Sequence, residues 1–386
     1  MSVQKKELLS LELMRVLAAF FVIFDHTSSS GHFLFSLYPP NSIQYWLYML
    51  PAAFCHFAVP LFFMISGALL LGRNDEARPL VPFKKALHIL IILLVWSFLY
   101  YLSTVYEHRN YMTIDRDANP YLSFVAASPL SFDLREFLIR LFELSGWNHT
   151  YCFLHTYIAL LLALPLLQRM AQAFKLYEYK LLLSLYFVFF MLIPAIQYLI
   201  WRGEHNFDAS LYMGLKWIGG NAVIFPLTGY FLQHHLNYNW TRKRLLILWG
   251  INILGLLCSC YLTFLFISTT GNSRELDAQG FLTWSALINA ATVFVTCRYI
   301  DEHTMILKRF SKVICSLGNA TLGIYLSHLY FLYRSDLSSL VWRILREGLH
   351  LGPLLYAFVY CILIFICSLM TTKLLQKIPL LRSLVR

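Results

Sequence analysis

The sequence predicts an all-α polytopic membrane protein, a single integral-membrane domain over residues 1–386 with about ten transmembrane helices and one interfacial helix. Three observations predict it. Hydrophobic residues make up 59% of the chain and charged residues only 13%, a balance that soluble domains do not have. The apolar residues fall in runs of about twenty, the length that a helix needs to cross a hydrocarbon core. Lys and Arg are divided unevenly between alternate connecting segments, the asymmetry that orients membrane helices.

The runs place spans at roughly 8–28, 44–71, 86–106, 150–168, 181–201, 212–232, 245–268, 281–299, 313–332 and 353–373. Lys5 and Lys6 precede the first run and no small-residue cleavage pattern follows it, so that span reads as a retained signal anchor. Pro51 and Pro60 interrupt the second run, as neighbouring helices permit in membranes. With the amino terminus in the cytoplasm, the inner loops collect most of the basic residues, among them Arg73, Lys84, Lys85, Lys175, Arg242, Lys243, Arg244 and Lys312. The outer loops then hold Arg but no Lys, and both termini lie inside. This bias accounts for the net charge of +11 with membrane lipid as partner and no nucleic acid.

The first span carries four ionisable residues, Glu12, Arg15, Asp25 and His26. Each costs on the order of 2.5–3.5 kcal/mol inside a membrane helix, so the span reads as built around a polar site. Arg15 and His26 are about 16 Å apart along a helix axis and within about 20° of one face. One stripe therefore bears a permanent cation near its start and an imidazole near its end. The competing reading has Arg15 snorkelling to the inner headgroups and His26 as an interfacial residue.

Between residues 107 and 148 lies the one long outer loop. Its stretch 131–146 has helical spacing, with Ser131 placed to cap the start and Gly146 to end it. Leu134, Phe137, Leu138, Leu141 and Phe142 share a face, which fits either an interfacial helix or a lid over an outward site. The eight cysteines fall in or beside spans without metal-ligand spacing and read as small apolar core residues, so no metal is expected. Walker, GxGxxG, HExxH and GxSxG patterns are missing.

Three further stretches carry polar or small residues at membrane depth. FFMISGALLLG (62–72) contains Ser66-Gly67, which admits the close approach of another backbone or of a ligand. The fourth span opens with His149, Tyr151 and His155 near the outer boundary, where Tyr151 also suits an aromatic belt. In SLGNATLGIYLSHLYFL (316–332), Tyr325 and His328 share a face, and His328 lies at about the depth of His26. His328 reads either as helix-joining hydrogen-bond glue or as a functional group. Lys216 lies within the sixth span.

Together these stretches resemble the acyltransferase-3 family of integral-membrane O-acyltransferases. Glu12 precedes Arg15 by three residues, ten residues separate Arg15 from His26, and FFMISG (62–67), GYFL (229–232) and GIYLSH ending at His328 follow in order. The fourth-span motif at 151–167 is degenerate, with Cys152 where the family commonly has tryptophan, and Asp25 stands where an aliphatic residue is usual. The resemblance implies O-acylation of carbohydrate at a bacterial inner membrane. Acyl-CoA, usually acetyl-CoA, is then the cytoplasmic donor, and the acceptor is a hydroxyl of a surface glycan or its lipid-linked precursor. The chain stops after the tenth span, so direct transfer to the acceptor is the simpler expectation.

On that reading Arg15 draws in the CoA pyrophosphate or polarises the pantetheine chain, with Ser66 and Gly67 beside the donor. His26 removes the acceptor proton, or takes the acyl group itself. His328, His149 and Lys216 are placed to steady the oxyanion or orient His26, and Glu12, Asp25, Tyr151 and Tyr325 to support the site. The rival function is transport, in which the buried Arg, Asp, Lys and His line a substrate or proton path.

Overall fold

The computed structural model describes residues 3–27, 30–73, 80–110, 132–143, 151–201, 222–236, 240–270, 281–333, 340–341 and 343–385. The described residues are mostly helical, joined by turns and short connections, with no strand among them. Seven helical stretches among them are long and apolar enough to cross a membrane. They cover Ile43–Leu70, Val81–Ser103, Cys152–Ala173, Leu176–Ile200, Arg242–Ser268, Phe281–His303 and Pro353–Lys377. The predicted sixth span is represented by Ile224–His234 alone, since 202–221 fall outside the described residues.

The chain divides into two compact units, residues 1–73 with 167–386, and residues 74–166. In the first, α1 (Val3–Asp25) is central. It packs against α3 (Ala58–Leu70), α11 (Ala286–His303), α12 (Ser311–Gly318), α13 (Thr321–Tyr333) and α14 (Pro353–Lys377). The charges that make α1 a poor lipid-facing helix are thus enclosed by other helices, and Met14, Ala18, Ile23 and Phe24 are fully buried beside them.

The second predicted span is two helices. α2 (Ile43–Cys55) keeps Pro51 within it, and the break falls at His56–Phe57, ahead of α3. Pro60 explains the position, because it has no N–H to give the carbonyl of His56 four residues earlier. The amide of Phe57 turns to the carbonyl of Phe54 (3.2 Å), leaving the carbonyl of Ala53 that an unbroken helix would have given it. Asn289 of α11 supplies the missing donor, its Nδ2 reaching Ala53 O at 3.3 Å. Asn289 also accepts from Asn252 of α10 (Arg242–Thr270) at 2.9 Å. A backbone break at membrane depth is tolerated when side chains satisfy its orphaned groups in this way.

α3 and α9 (Ile224–His234) cross at two glycines. A Cβ on Gly67 would overlap the backbone of Pro226, and one on Gly229 the backbone of Met64. The FFMISG and GYFL stretches are therefore a reciprocal small-residue contact between helices.

In the second unit, α5 (Leu134–Glu143) lies on α4 (Val81–Asn110). Phe137 packs edge-on against Phe98, with centroids 5.9 Å apart, and is tilted on Tyr101 at 5.5 Å. The cap is Asp133, whose Oδ1 accepts from the amides of Arg135 (2.8 Å) and Glu136 (3.3 Å). Ser131 and Gly146 lie outside the described residues. The apolar face is divided: Phe137 and Leu141 are buried, while Leu134, Leu138 and Phe142 are exposed. That division matches a helix with one side on protein and the other available to lipid.

Candidate active site

The site forms where α1 ends. The helix stops at Asp25, and the amide of His26 closes the last turn on the carbonyls of Val22 (3.3 Å) and Ile23 (3.2 Å). His26 is half-buried. Its ring stacks on that of His328 in α13, with centroids 5.4 Å apart and planes 23° from parallel. Packing of α1 against α13 thereby brings together two histidines separated in sequence by nearly the whole chain.

His328 is fully buried. Its Nδ1 donates to the carbonyl of Tyr325 at 2.5 Å. A carbonyl can only accept, so the proton sits on Nδ1 and Nε2 carries a lone pair in the neutral ring. Among the described residues Nε2 has no hydrogen-bond partner. A buried acceptor left unsatisfied costs about 1–3 kcal/mol. The ring of Tyr325 lies 5.9 Å from that of His328 on the same helix, as the three-residue spacing requires.

At the other end of the stripe Arg15 is not a lone cation. Its Nη1 donates to Glu12 Oε1 at 2.5 Å, one turn away. The Arg15 side chain keeps 30% exposure, so part of its planar fork stays available to an anion. Glu12 is seated against Gly318 at the end of α12, where any Cβ would overlap its carboxylate.

Asp25, adjacent in sequence to His26, places its carboxylate against three further side chains. Oδ1 lies 3.3 Å from Nδ1 of His32, 3.6 Å from Nδ1 of His56 and 3.5 Å from Sγ of Cys55. The segment after His26 is folded back to make this possible. Thr27 Oγ1 donates to Phe24 O at 2.6 Å and accepts the amide of His32 at 3.0 Å. Gly31 fits there because a side chain would overlap the Thr27 hydroxyl. His32 lies in the connection between spans; burial pushes its imidazole down to about 4, with Asp25 pulling the other way, so it is neutral near pH 7.

Of the predicted site residues, the structure brings together His26, Asp25, His328 and Tyr325 at one end of α1, and Glu12 with Arg15 on the same helix. Ser66 donates to its own helix, to Phe62 O at 2.9 Å, and Gly67 is covered by the backbone at Pro226. Tyr151 is buried in the second unit, edge-on to Tyr100 at 5.9 Å. His149 and Lys216 lie outside the described residues. The residues that sequence reasoning passed over are His32, Cys55 and His56. The signal was available in part, since a Cys-His pair sits between Pro51 and Pro60 in an apolar run.

A family model described as an acyltransferase domain matches residues 8–373 of the chain. No curated protein and no solved structure matches it.

Proposed function

Because the chain belongs to the acyltransferase-3 family of membrane acyltransferases, we propose that it moves an acetyl group from cytoplasmic acetyl-CoA to a hydroxyl of a surface glycan or its lipid-linked precursor. The membrane is a bacterial inner membrane, with both termini on the cytoplasmic side. The observation that carries this reading is the stacked pair of His26 and His328 at one end of a buried helix that presents Arg15 nearer its other end.

The chemistry follows from the groups present. Arg15, partly neutralised by Glu12, offers its remaining N–H groups to the phosphate or pantetheine oxygens of the donor. His26 accepts the proton of the acceptor hydroxyl as that oxygen attacks the thioester carbonyl. The new C–O bond forms, the C–S bond breaks, and the CoA thiolate leaves and takes up a proton. Asp25, next to His26, adds a nearby negative charge that favours the transient imidazolium. His328 Nε2 accepts a hydrogen bond from the incoming alcohol or from a neighbouring hydroxyl on the same sugar, which satisfies its buried lone pair.

The test is vectorial. Proteoliposomes given labelled acetyl-CoA on the face of the amino terminus and glycan on the other should label the glycan and release free CoA. Labelling only when both substrates share one face would overturn the transmembrane version. Glycan movement without CoA release would identify a transporter instead.

A further inference from the structure

The cluster around Asp25 has a composition that the acyl-transfer reading does not use. It joins three segments: Asp25 from the end of α1, His32 from the folded-back connection, and Cys55 with His56 from the break between α2 and α3. One donor atom from each of the four side chains lies within 4.8 Å of the other three. The pairs Asp25 Oδ1–His32 Nδ1, Cys55 Sγ–His32 Nδ1, Asp25 Oδ1–Cys55 Sγ and Asp25 Oδ1–His56 Nδ1 measure 3.3, 3.4, 3.5 and 3.6 Å.

Those lengths have a definite meaning for a metal. Zinc holds nitrogen and oxygen at about 2.0–2.2 Å and thiolate sulfur at about 2.3 Å, so neighbouring corners of its tetrahedron are separated by roughly 3.3–3.6 Å. Four of the six ligand pairs fall in that range, and the His32–His56 and Cys55–His56 pairs lie within 4.8 Å, so side-chain adjustment closes the tetrahedron. The two imidazoles stand nearly perpendicular, 84° apart with centroids at 5.1 Å, so their approaches to a shared centre do not clash.

Charge and softness select the ion. A carboxylate and a thiolate bring two negative charges and the imidazoles none, which together neutralise a divalent cation held away from water. Thiolate and imidazole suit zinc and do not suit magnesium or calcium. His32 and Cys55 are fully buried, and the side chains of His56 and Asp25 keep only 11% and 29% exposure. A shell closed by four protein ligands is a structural site, without the open position that a catalytic zinc keeps.

We propose that Asp25, His32, Cys55 and His56 bind one zinc ion, which clips the end of α1 to the break between α2 and α3. Cys55 binds as thiolate and loses its proton to solvent. The clip fixes the end of α1, from which His26 projects. Its existence does not rest on the acyl-transfer reading, since metal binding is measured without substrate. Linear spacing could not reveal it, because the ligands come from three separate segments.

The experiment is metal analysis of the full chain purified in detergent without chelator or a metal-affinity step. The expected result is one zinc per chain, retained through dialysis. Cobalt exchanged into the wild-type protein should give a thiolate-to-cobalt charge-transfer band, absent in Cys55→Ser and unchanged in Cys260→Ser, a buried cysteine elsewhere. Asp25→Asn and His32→Ala should each lower the retained zinc severalfold. Wild-type protein, monodisperse and without a cobalt–thiolate band, that holds no more zinc than Cys55→Ser would overturn the proposal. So would full zinc retention in a His32→Ala/Cys55→Ser double variant. Because the cobalt spectrum is read on the wild type, a variant that fails to fold does not blunt the test. Loss of acetyl transfer with zinc retained would count against the acyl-transfer reading alone.

Discussion

The imidazole of His26 lies against that of His328, centroids 5.4 Å apart, while the Nδ1 proton of His328 is held by the carbonyl of Tyr325. One ring is half-open at a helix end and the other is sealed behind it with a bare Nε2. This asymmetry assigns them different tasks, and it generates the first two predictions.

His26→Ala should abolish transfer while leaving the protein inserted and folded, because removing a general base costs roughly 10²–10⁴-fold in rate and little helix stability. Arg15→Lys should also weaken transfer markedly, since it keeps the charge but loses the planar fork. A residue that merely snorkels would accept Lys with little change. The measurement is glycan acetylation in cells at matched protein levels; near-normal values for both variants would refute the catalytic stripe.

His328→Phe separates stacking from hydrogen bonding. Phenylalanine preserves an aromatic partner for His26 and deletes Nε2. If Nε2 receives a substrate donor, kcat/KM should fall by roughly 5- to 160-fold, the equivalent of about 1–3 kcal/mol. Steady-state kinetics in detergent or nanodiscs would show it. Activity equal to wild type would mean that His328 serves the site through its ring alone.

The crossing of α3 and α9 admits no side chain at Gly67 or Gly229. Gly67→Val and Gly229→Val should each destabilise the protein by about 1–3 kcal/mol or more, through forced separation of two backbones. Gly250, whose added Cβ would meet nothing within 4 Å, is the control and should tolerate alanine. Thermal unfolding of the purified variants is the readout. Tolerance at Gly67 with loss of donor binding would instead indicate a ligand contact there.

Asn289→Ala removes the donor that completes the broken second span. A hydrogen bond between membrane helices contributes about 0.6–1.7 kcal/mol, so a loss of that size is expected by thermal or denaturant unfolding. Asn289→Asp, which keeps the shape but not the amide donor, should cost at least as much. No loss in either variant would show that the break is held by packing.

On α5, Leu138→Pro should impair acceptor use more than donor binding if the helix covers an outward site. The comparison is Leu138→Ala, which keeps the helix and removes an exposed leucine. Equal loss of acceptor and donor use, with poor expression, would indicate misfolding alone.

The sequence by itself determined the helical membrane class, the charged first helix and the pairing of Tyr325 with His328. Each is a property of one segment: apolar length, local charge, or the repeat of a single helix. It also marked FFMISG, GYFL and GIYLSH as stretches of interest without showing that the first two touch. Only the tertiary structure decided that Gly67 and Gly229 meet, that His26 stacks on His328, and that Asp25 lies against His32, Cys55 and His56. It likewise placed the break in the second span at His56–Phe57, the turn that Pro60 leaves without a donor, and kept Pro51 inside α2. Periodicity reports which side chains share a face of one helix. Which faces meet depends on how closely two backbones approach and where a helix is interrupted, and no linear spacing records that.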